Sequence, residues 1–318
     1  MRLRRRNRHA LVRSSVALAL LGASSTGCRN DAPPVHVDSA ARTVAVPAES
    51  ATVAPTSNGW RTSAGPVLLA AGGSPDEAIV FFGAAREGSS PALDTGAVDQ
   101  STATLLGRDG SRFTATLELP AGNDTAECRV WPLRNLHSAG GVGAWAVGFV
   151  SPNVVAIPLD SVDALSARDS MALAAEASRL ASTVTANTSP LFQGLRFAAH
   201  DLHRFEVTPG VQALAAHLMR RVNQEDDPQE EQTLLIAERD SGVTSGPYQL
   251  AYAERSFGRE EEVSMSEVVA AVRIGTDGPP SLVVARDGDE GLAYALLERT
   301  GPRHWRVGWT STLAKCGD

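Results

Sequence analysis

The sequence predicts an α+β protein of mostly antiparallel sheets, with two helices between an N-terminal region of short strands and a C-terminal β-meander. Three observations carry that expectation. Between Val67 and Ile157, brief apolar runs are punctuated by Gly, Pro, Ser and Asp, which is the pattern of short strands joined by turns. Between Ser166 and Val222, two stretches place apolar residues at helical spacing. After Gln232, six apolar runs follow one another with only turn residues between them, and short connections favour antiparallel neighbours.

In chain order, the strand candidates are residues 67–71, 78–82, 102–106, 112–119, 128–131, 144–150 and 154–157. Seven short strands with frequent turns suggest a largely antiparallel sheet or a sandwich. The first helix takes Ser166 as N-cap, with Asp169 three residues on answering it, and aligns Leu173, Ala177, Leu180 and Val184 on one face. The second helix opens at Thr208 and Pro209, with Thr as cap and Pro at the first helical position, and aligns Val211, Leu214, Leu218 and Val222. The acidic run from Glu225 to Glu231 reads as the exposed end of that helix plus a loop. The meander then runs TLLIAER, YQLAYAERS, EVVAAVRI, SLVVARD, LAYALLER and HWRVGWTS. Leu235–Asp240 with Tyr252–Arg255 echoes Val283–Asp287 with Tyr294–Arg299, which suggests one hairpin type used twice. Trp305 and Trp309 lie four apart in the last run, so a regular strand puts both on one face, as core.

The N-terminus carries the clearest functional signal. Residues 1–13 hold six arginines and no acid, residues 16–23 are apolar, and small residues follow, the three parts of a secretory signal peptide. The apolar stretch falls well short of the ~20 residues that span a bilayer. Residues 28–59 are rich in Ala, Pro, Val, Ser and Thr with no sustained period. They read as a disordered tether with a reach of roughly 30 Å. The organisation expected is therefore 1–27 signal peptide, 28–59 tether, 60–190 a β-rich region ending in a helix, and 191–318 a helix plus meander, the last two forming two domains or one.

Ser25-Thr26-Gly27-Cys28 resembles the lipobox of bacterial lipoproteins, in which a small residue precedes a cysteine that is lipidated and becomes the new N-terminus. The position three before the cysteine is usually leucine in that family and is Ser25 here. The resemblance implies lipidation at Cys28 and a membrane partner reached through an N-terminal lipid anchor, since two or more acyl chains hold a protein stably. Arg29 stands where an aspartate would favour the inner membrane, so the resemblance points to the periplasmic face of the outer membrane. Without lipidation, the same segment is an ordinary cleaved signal with Cys28 as a free thiol.

Export changes the charge. The whole chain is −7, from 29 basic and 36 acidic residues, and loss of residues 1–27 removes six arginines and no acid, leaving −13. So acidic a body is a poor match for nucleic acid. With Cys28 lipidated, Cys128 and Cys316 remain as an even pair in an oxidising compartment. They form either a disulfide, whose closed loop is worth at most about 5 kcal/mol on chain entropy, or two free thiols.

Asp94-Thr95-Gly96-Ala97 resembles the catalytic loop of retroviral-type aspartic proteases, and Leu105-Leu106-Gly107-Arg108-Asp109 their second hallmark. Only Thr95–Gly107 intervene between Asp94 and Arg108-Asp109, where that family places a flap and several strands. The second motif shares its Arg-Asp-Gly with Arg286-Asp287-Gly288, a hairpin-turn signal in both places. The paired carboxylates such a protease needs would also require a second loop or a dimer. Asp94 therefore reads as a loop residue.

His200, Asp201 and His203 are the densest group of metal-ligating residue types. On a strand, the two histidines face opposite ways, while His217 could approach one of them. Residues 287–291 read as a solvated turn, lacking the twelve-residue calcium-loop pattern. No serine-nucleophile elbow, phosphate loop, zinc-type Cys pair or His-Glu-x-x-His occurs. The expectation is a non-catalytic binding or assembly module with an unknown protein or small-ligand partner and no cofactor. A structural envelope component ranks second and an exported hydrolase third.

Overall fold

The computed structural model describes residues 66–84, 95–120, 130–138, 145–151, 153–184, 189–222, 227–241, 246–275 and 277–314. Cys28, Cys128, Cys316 and Asp94 lie outside the described residues, as do the signal and tether segments. No helix among the described residues is long and apolar enough to cross a membrane.

Period-two patterning builds the first layer. In Arg112–Leu117 (β4), Phe113, Ala115 and Leu117 are buried while Arg112 and Thr114 are exposed. Leu68–Ala71 (β1), Glu77–Phe81 (β2), Thr102–Leu106 (β3), Val130–Ser138 (β5) and Val147–Phe149 (β6) join it in a closed barrel of order β1-β2-β5-β4-β3-β6. The expected open sheet or sandwich is thus corrected. β6 pairs with both β1 and β3, and closure removes the unpaired edges. Leu69, Leu105, Phe113, Trp131 and Leu133 fill the interior. A Cβ on Gly148 would stand 2.5 Å from Leu105 Cδ2, so glycine is what lets β6 lie against that interior. The Arg108-Asp109-Gly110 turn joins β3 to β4, with Gly110 at φ 81° and Asp109 Oδ1 accepting from the Ser111 amide at 2.9 Å. The second protease-like motif is therefore a hairpin.

The rest of the body is two sheets of one design. Val154–Ile157 (β7) and Asp160–Ser161 (β8) are consecutive, yet each becomes the outer strand of a different sheet. After the helix Ala167–Val184 (α1), the chain runs as Ala198–Thr208 (β9), Val211–Val222 (β10), Gln229–Asp240 (β11) and Gln249–Arg259 (β12). It continues as Met265–Ile274 (β13), Pro280–Gly288 (β14), Gly291–Gly301 (β15) and His304–Thr310 (β16). The sheets are β8-β9-β10-β11-β12 and β7-β13-β14-β15-β16, antiparallel throughout. Each is a four-stranded meander with a strand from the 154–161 segment added beside its first member. The sequence echo falls on hairpins β11–β12 and β14–β15, the third of one meander and the second of the other, so it does not follow the correspondence of the two sheets.

Apolar clusters order the layers. Leu68, Leu106, Val147 and Phe149, on the outer side of the barrel, pack with Val269, Val272, Val283 and Trp309 of the β13–β16 sheet. The other face of that sheet, with Leu282, Val284, Leu297 and Trp305, meets Phe205, Ala215, Leu234 and Ile236 of the β9–β12 sheet. Ala177, Leu180 and Ala181 of α1 cover Leu214, Leu218, Leu235 and Ala237 on the far side of that outer sheet. The Ser166 cap is formed, its Oγ accepting from the Asp169 amide at 3.2 Å and donating to Asp169 Oδ2 at 2.8 Å. The described residues belong to one compact unit, Ser57–Gly317.

Three expectations are corrected. The second helix is strand β10, and Pro209-Gly210 is the hairpin turn before it, with Gly210 at φ 82°. A spacing of four is even, so Leu214 and Leu218 share a face in a strand as well as in a helix. With both faces covered, β10 shows a near-continuous apolar run rather than alternation. Glu230 and Glu231 are not an exposed helix end. They lie buried in β11, at 6 % and 0 % exposure. Trp305 and Trp309 face opposite ways, toward the outer sheet and the barrel, because the β15–β16 register shifts between them. A Cβ on Gly308, which lies in that shift, would stand 2.2 Å from the Glu298 carboxyl carbon.

Candidate functional site

β11 divides chemically in two. Leu234–Ala237 is apolar and buried, as a central strand demands, but the four residues before it, Glu230, Glu231, Gln232 and Thr233, are polar and equally buried. Burying polar groups costs free energy unless each finds a partner. Alternation sends Glu230 and Gln232 toward the other sheet, and Glu231 and Thr233 toward the side α1 covers. Two polar assemblies result, back to back through one strand.

Between the sheets, His217 Nε2 donates to Gln232 Oε1 at 2.5 Å, and Gln232 Nε2 donates to Glu230 Oε2 at 3.1 Å. Burial pulls the His217 pKa down and the Gln232 bond opposes it, leaving the imidazole below its ordinary value of 6.5. Facing it, Glu254 accepts from Arg286 Nη2 at 2.5 Å, Tyr252 Oη at 2.7 Å and Ser266 Oγ at 2.6 Å. Burial and the adjacent Glu254 charge push the Tyr252 phenol up, so it stays a donor. His217, Gln232, Glu254, Ser264, Ser266 and Arg286 line a cavity of about 280 Å³. The strands thus present imidazole, amide, hydroxyl, carboxylate and guanidinium groups to one small space, enough to orient a polar ligand by several hydrogen bonds.

On the opposite face, Arg220 Nε and Nη2 both donate to Glu231 Oε2, at 2.9 and 2.7 Å, and its Nη1 reaches the Phe192 and Leu195 carbonyls at 3.0 and 3.3 Å. Its guanidinium also lies 4.5 Å from the Phe197 ring centroid. Arg255 Nε stands 2.9 Å from Glu231 Oε1. Two guanidiniums therefore share one fully buried carboxylate.

A third buried carboxylate acts as a fastener. Glu238 Oε1 and Oε2 accept from Arg299 at 2.8 and 2.9 Å, from Trp305 Nε1 at 2.6 Å and from the Arg303 amide at 3.0 Å, joining β11 to β15 and β16. Burial raises its pKa, but the Arg299 and Trp305 bonds and the Arg303 amide outweigh that, and the net shift is downward.

The histidine group is brought together only in part. A bulge in the β9–β10 pairing sets Asp201 opposite His217 and leaves His200 out of register, with its ring 5.7 Å from that of His217. His203 pairs with Asp201 at 2.8 Å. Burial raises the Asp201 pKa, while the His203 bond and the His203, Arg108 and His217 charges bring it below its ordinary value. No three metal-ligating side chains of these types converge among the described residues. A second cavity, of about 360 Å³ between the barrel and the β13–β16 sheet, is lined by Arg108, Glu267, Val269, Asp287 and Tyr294. Arg108 and Glu267 bridge it at 2.7 Å, and burial pushes the Tyr294 phenol up to about 12.

Sequence reading named His200, His203 and His217 but missed Gln232, Glu254, Ser266, Arg286 and the Arg220–Glu231–Arg255 group. The available signal was EEQT leading directly into LLIA, a polar stretch inside a strand-length run, which a charge-equals-surface rule discards. No protein family, no curated protein and no solved structure matches the chain.

Proposed function

We propose that this protein is an exported, lipid-anchored cell-envelope protein whose body is a binding module, holding a small polar ligand between its two meander sheets. The observation that supports the binding role is the convergence of His217, Gln232, Glu254, Ser266 and Arg286 on one cavity of about 280 Å³. A sheet interior is ordinarily closed with apolar side chains, as it is further along the same strands at Leu234, Ile236 and Leu282. The signal peptide and the lipobox-like Cys28 support the anchoring role, and the tether in residues 28–59 would let the body reach a ligand away from the bilayer.

The two parts of the reading are tested separately. Intact-mass measurement of the mature chain is expected to find an acylated N-terminal Cys28, with Cys28→Ser moving the protein from the membrane to the soluble fraction. An unlipidated, soluble wild-type product overturns the anchor. Ser266→Phe is expected to fill the cavity and remove ligand binding while the anchored protein remains folded. Retained binding places the ligand elsewhere.

A further inference from the structure

The geometry points to a second binding role: Arg255 and Thr233 bind the carboxylate of a ligand whose apolar body lies against Phe257. Both side chains are on the α1 side of the outer sheet, and both residues also line the cavity of about 280 Å³, so this site adjoins that cavity.

Arg255 Nη2 and Thr233 Oγ1 are both buried and both lack a hydrogen-bond partner. Arg255 Nε, though 2.9 Å from Glu231 Oε1, is misaligned for a hydrogen bond and is also without one. Leaving a buried donor unmet costs about 1–3 kcal/mol, and more for a charged group. Glu231 cannot supply the missing acceptor, because Oε2 is engaged twice by Arg220 and only Oε1 faces Arg255. The chain thus holds a guanidinium for which it provides half a carboxylate.

The unmet donors also converge. Thr233 and Arg255 are directly opposed in the β11–β12 register, which sets their Cβ atoms about 4.5–5.5 Å apart on one face. An oxyanion there would accept from Arg255 Nη2 and from the Thr233 hydroxyl at once. Charge agrees with geometry. Burial, followed by Arg220, disfavours the charged form of Arg255, with Glu231 opposing, so the guanidinium is held below its ordinary pKa. An anion relieves that penalty. A water molecule could accept one N–H but would leave the charge unmatched.

Access and ligand shape follow from the neighbours. β12 ends the order of its sheet, so the site lies on an outer strand. Arg255 stacks 4.7 Å from the centroid of Phe257, two residues along, whose side chain is 57 % exposed. An exposed aromatic ring beside a buried cation suits a carboxylate carried on an apolar or aromatic frame, not a bare inorganic anion.

The test titrates the full mature chain with sodium benzoate by calorimetry, against sodium acetate and sodium chloride at equal ionic strength. Benzoate is expected to bind saturably and at least about fivefold more tightly than acetate, reflecting burial of its ring. Arg255→Met is expected to abolish that binding. Thr233→Val keeps the side-chain shape, removes one donor and is expected to weaken it severalfold. Phe257→Ala, at an exposed position, is expected to remove the advantage of benzoate over acetate. Heats reproduced by chloride identify a salt effect and overturn the site, as does unchanged benzoate affinity in Thr233→Val and Phe257→Ala, even if Arg255→Met fails to fold.

Discussion

The two meander sheets share connectivity, strand number and the same way of acquiring a fifth strand, yet the centre of one is apolar on both faces, with Ser266 and Arg286 only toward its end, while the other buries charge inside its central strand. In the β13–β16 sheet, Val269, Val272, Val283 and Leu296 pack against the barrel, and Val268, Ala271, Leu282 and Leu297 against the other sheet. In the β9–β12 sheet, Arg220, Glu230, Glu231, Gln232 and Thr233 are buried at one end. Position explains the difference. The inner sheet has a sheet or barrel on each side and no access to solvent over most of its faces. The outer sheet is covered on its far side by a single helix, whose buried residues, Ala177, Leu180 and Ala181, reach only the apolar half of its strands. Beyond that reach, the Phe192 and Leu195 carbonyls satisfy a guanidinium, so charge can be accommodated there. Identical topology thus carries most of the buried charge in one copy, and the other contributes Ser266 and Arg286 to the shared cavity.

The largest effect is expected where the comparison is sharpest. Glu231→Ala strands two buried guanidiniums and should cost about 3–5 kcal/mol in urea unfolding. Replacing Arg220, Glu231 and Arg255 together by Met, Leu and Met should instead be neutral or stabilising, because a buried ionic group is seldom better than a packed apolar one. A large loss in the triple variant would mean that the polar end is required for folding and differs from the β13–β16 sheet in a deeper way than its chemistry. In the β13–β16 sheet, Trp305→Ala and Trp309→Ala should each cost about 3–5 kcal/mol and combine additively within about 0.5 kcal/mol, since they pack on opposite faces. Strong coupling would place them on one face, against the register shift at Gly308. Glu238 joins the sheets, and Glu238→Gln should cost about 3 kcal/mol at neutral pH. Its folded carboxyl titrates below its ordinary value of 4.5, so its contribution is complete above that pH and is lost as pH falls through the folded value. The Gln variant should therefore lose less stability than wild type between neutral and acid pH, and parallel curves would contradict the ion pair.

How much of this was legible depended on whether local pattern and burial agreed. The short strands around Leu69, Leu105 and Phe113, the Ser166-capped helix and all six meander runs stood out because turn residues bracket them. Barrel closure did not, since pairing β6 with both β1 and β3 leaves no local trace. β10 was misread because burial on both faces removes alternation, and a spacing of four satisfies helix and strand alike. The site was hardest to see. Glu230 and Glu231 close an acidic run that begins at Glu225, and nothing local in that run marks them as buried. Bulges at His200 and Gly308 moved side chains between faces in ways that counting residues cannot anticipate.

The most direct measurement of the central claim is two-dimensional NMR of the ¹⁵N-labelled mature body titrated with a panel of small polar fragments. We expect shifts concentrated at the Gln232 side-chain amide and at the backbone amides of His217, Glu254, Ser266 and Arg286, while Val283 and Leu296, which pack toward the barrel, stay fixed. Shifts centred on the barrel, or a panel that leaves the Gln232 and Arg286 signals unmoved, would contradict the assignment of ligand binding to the polar cavity between the two sheets.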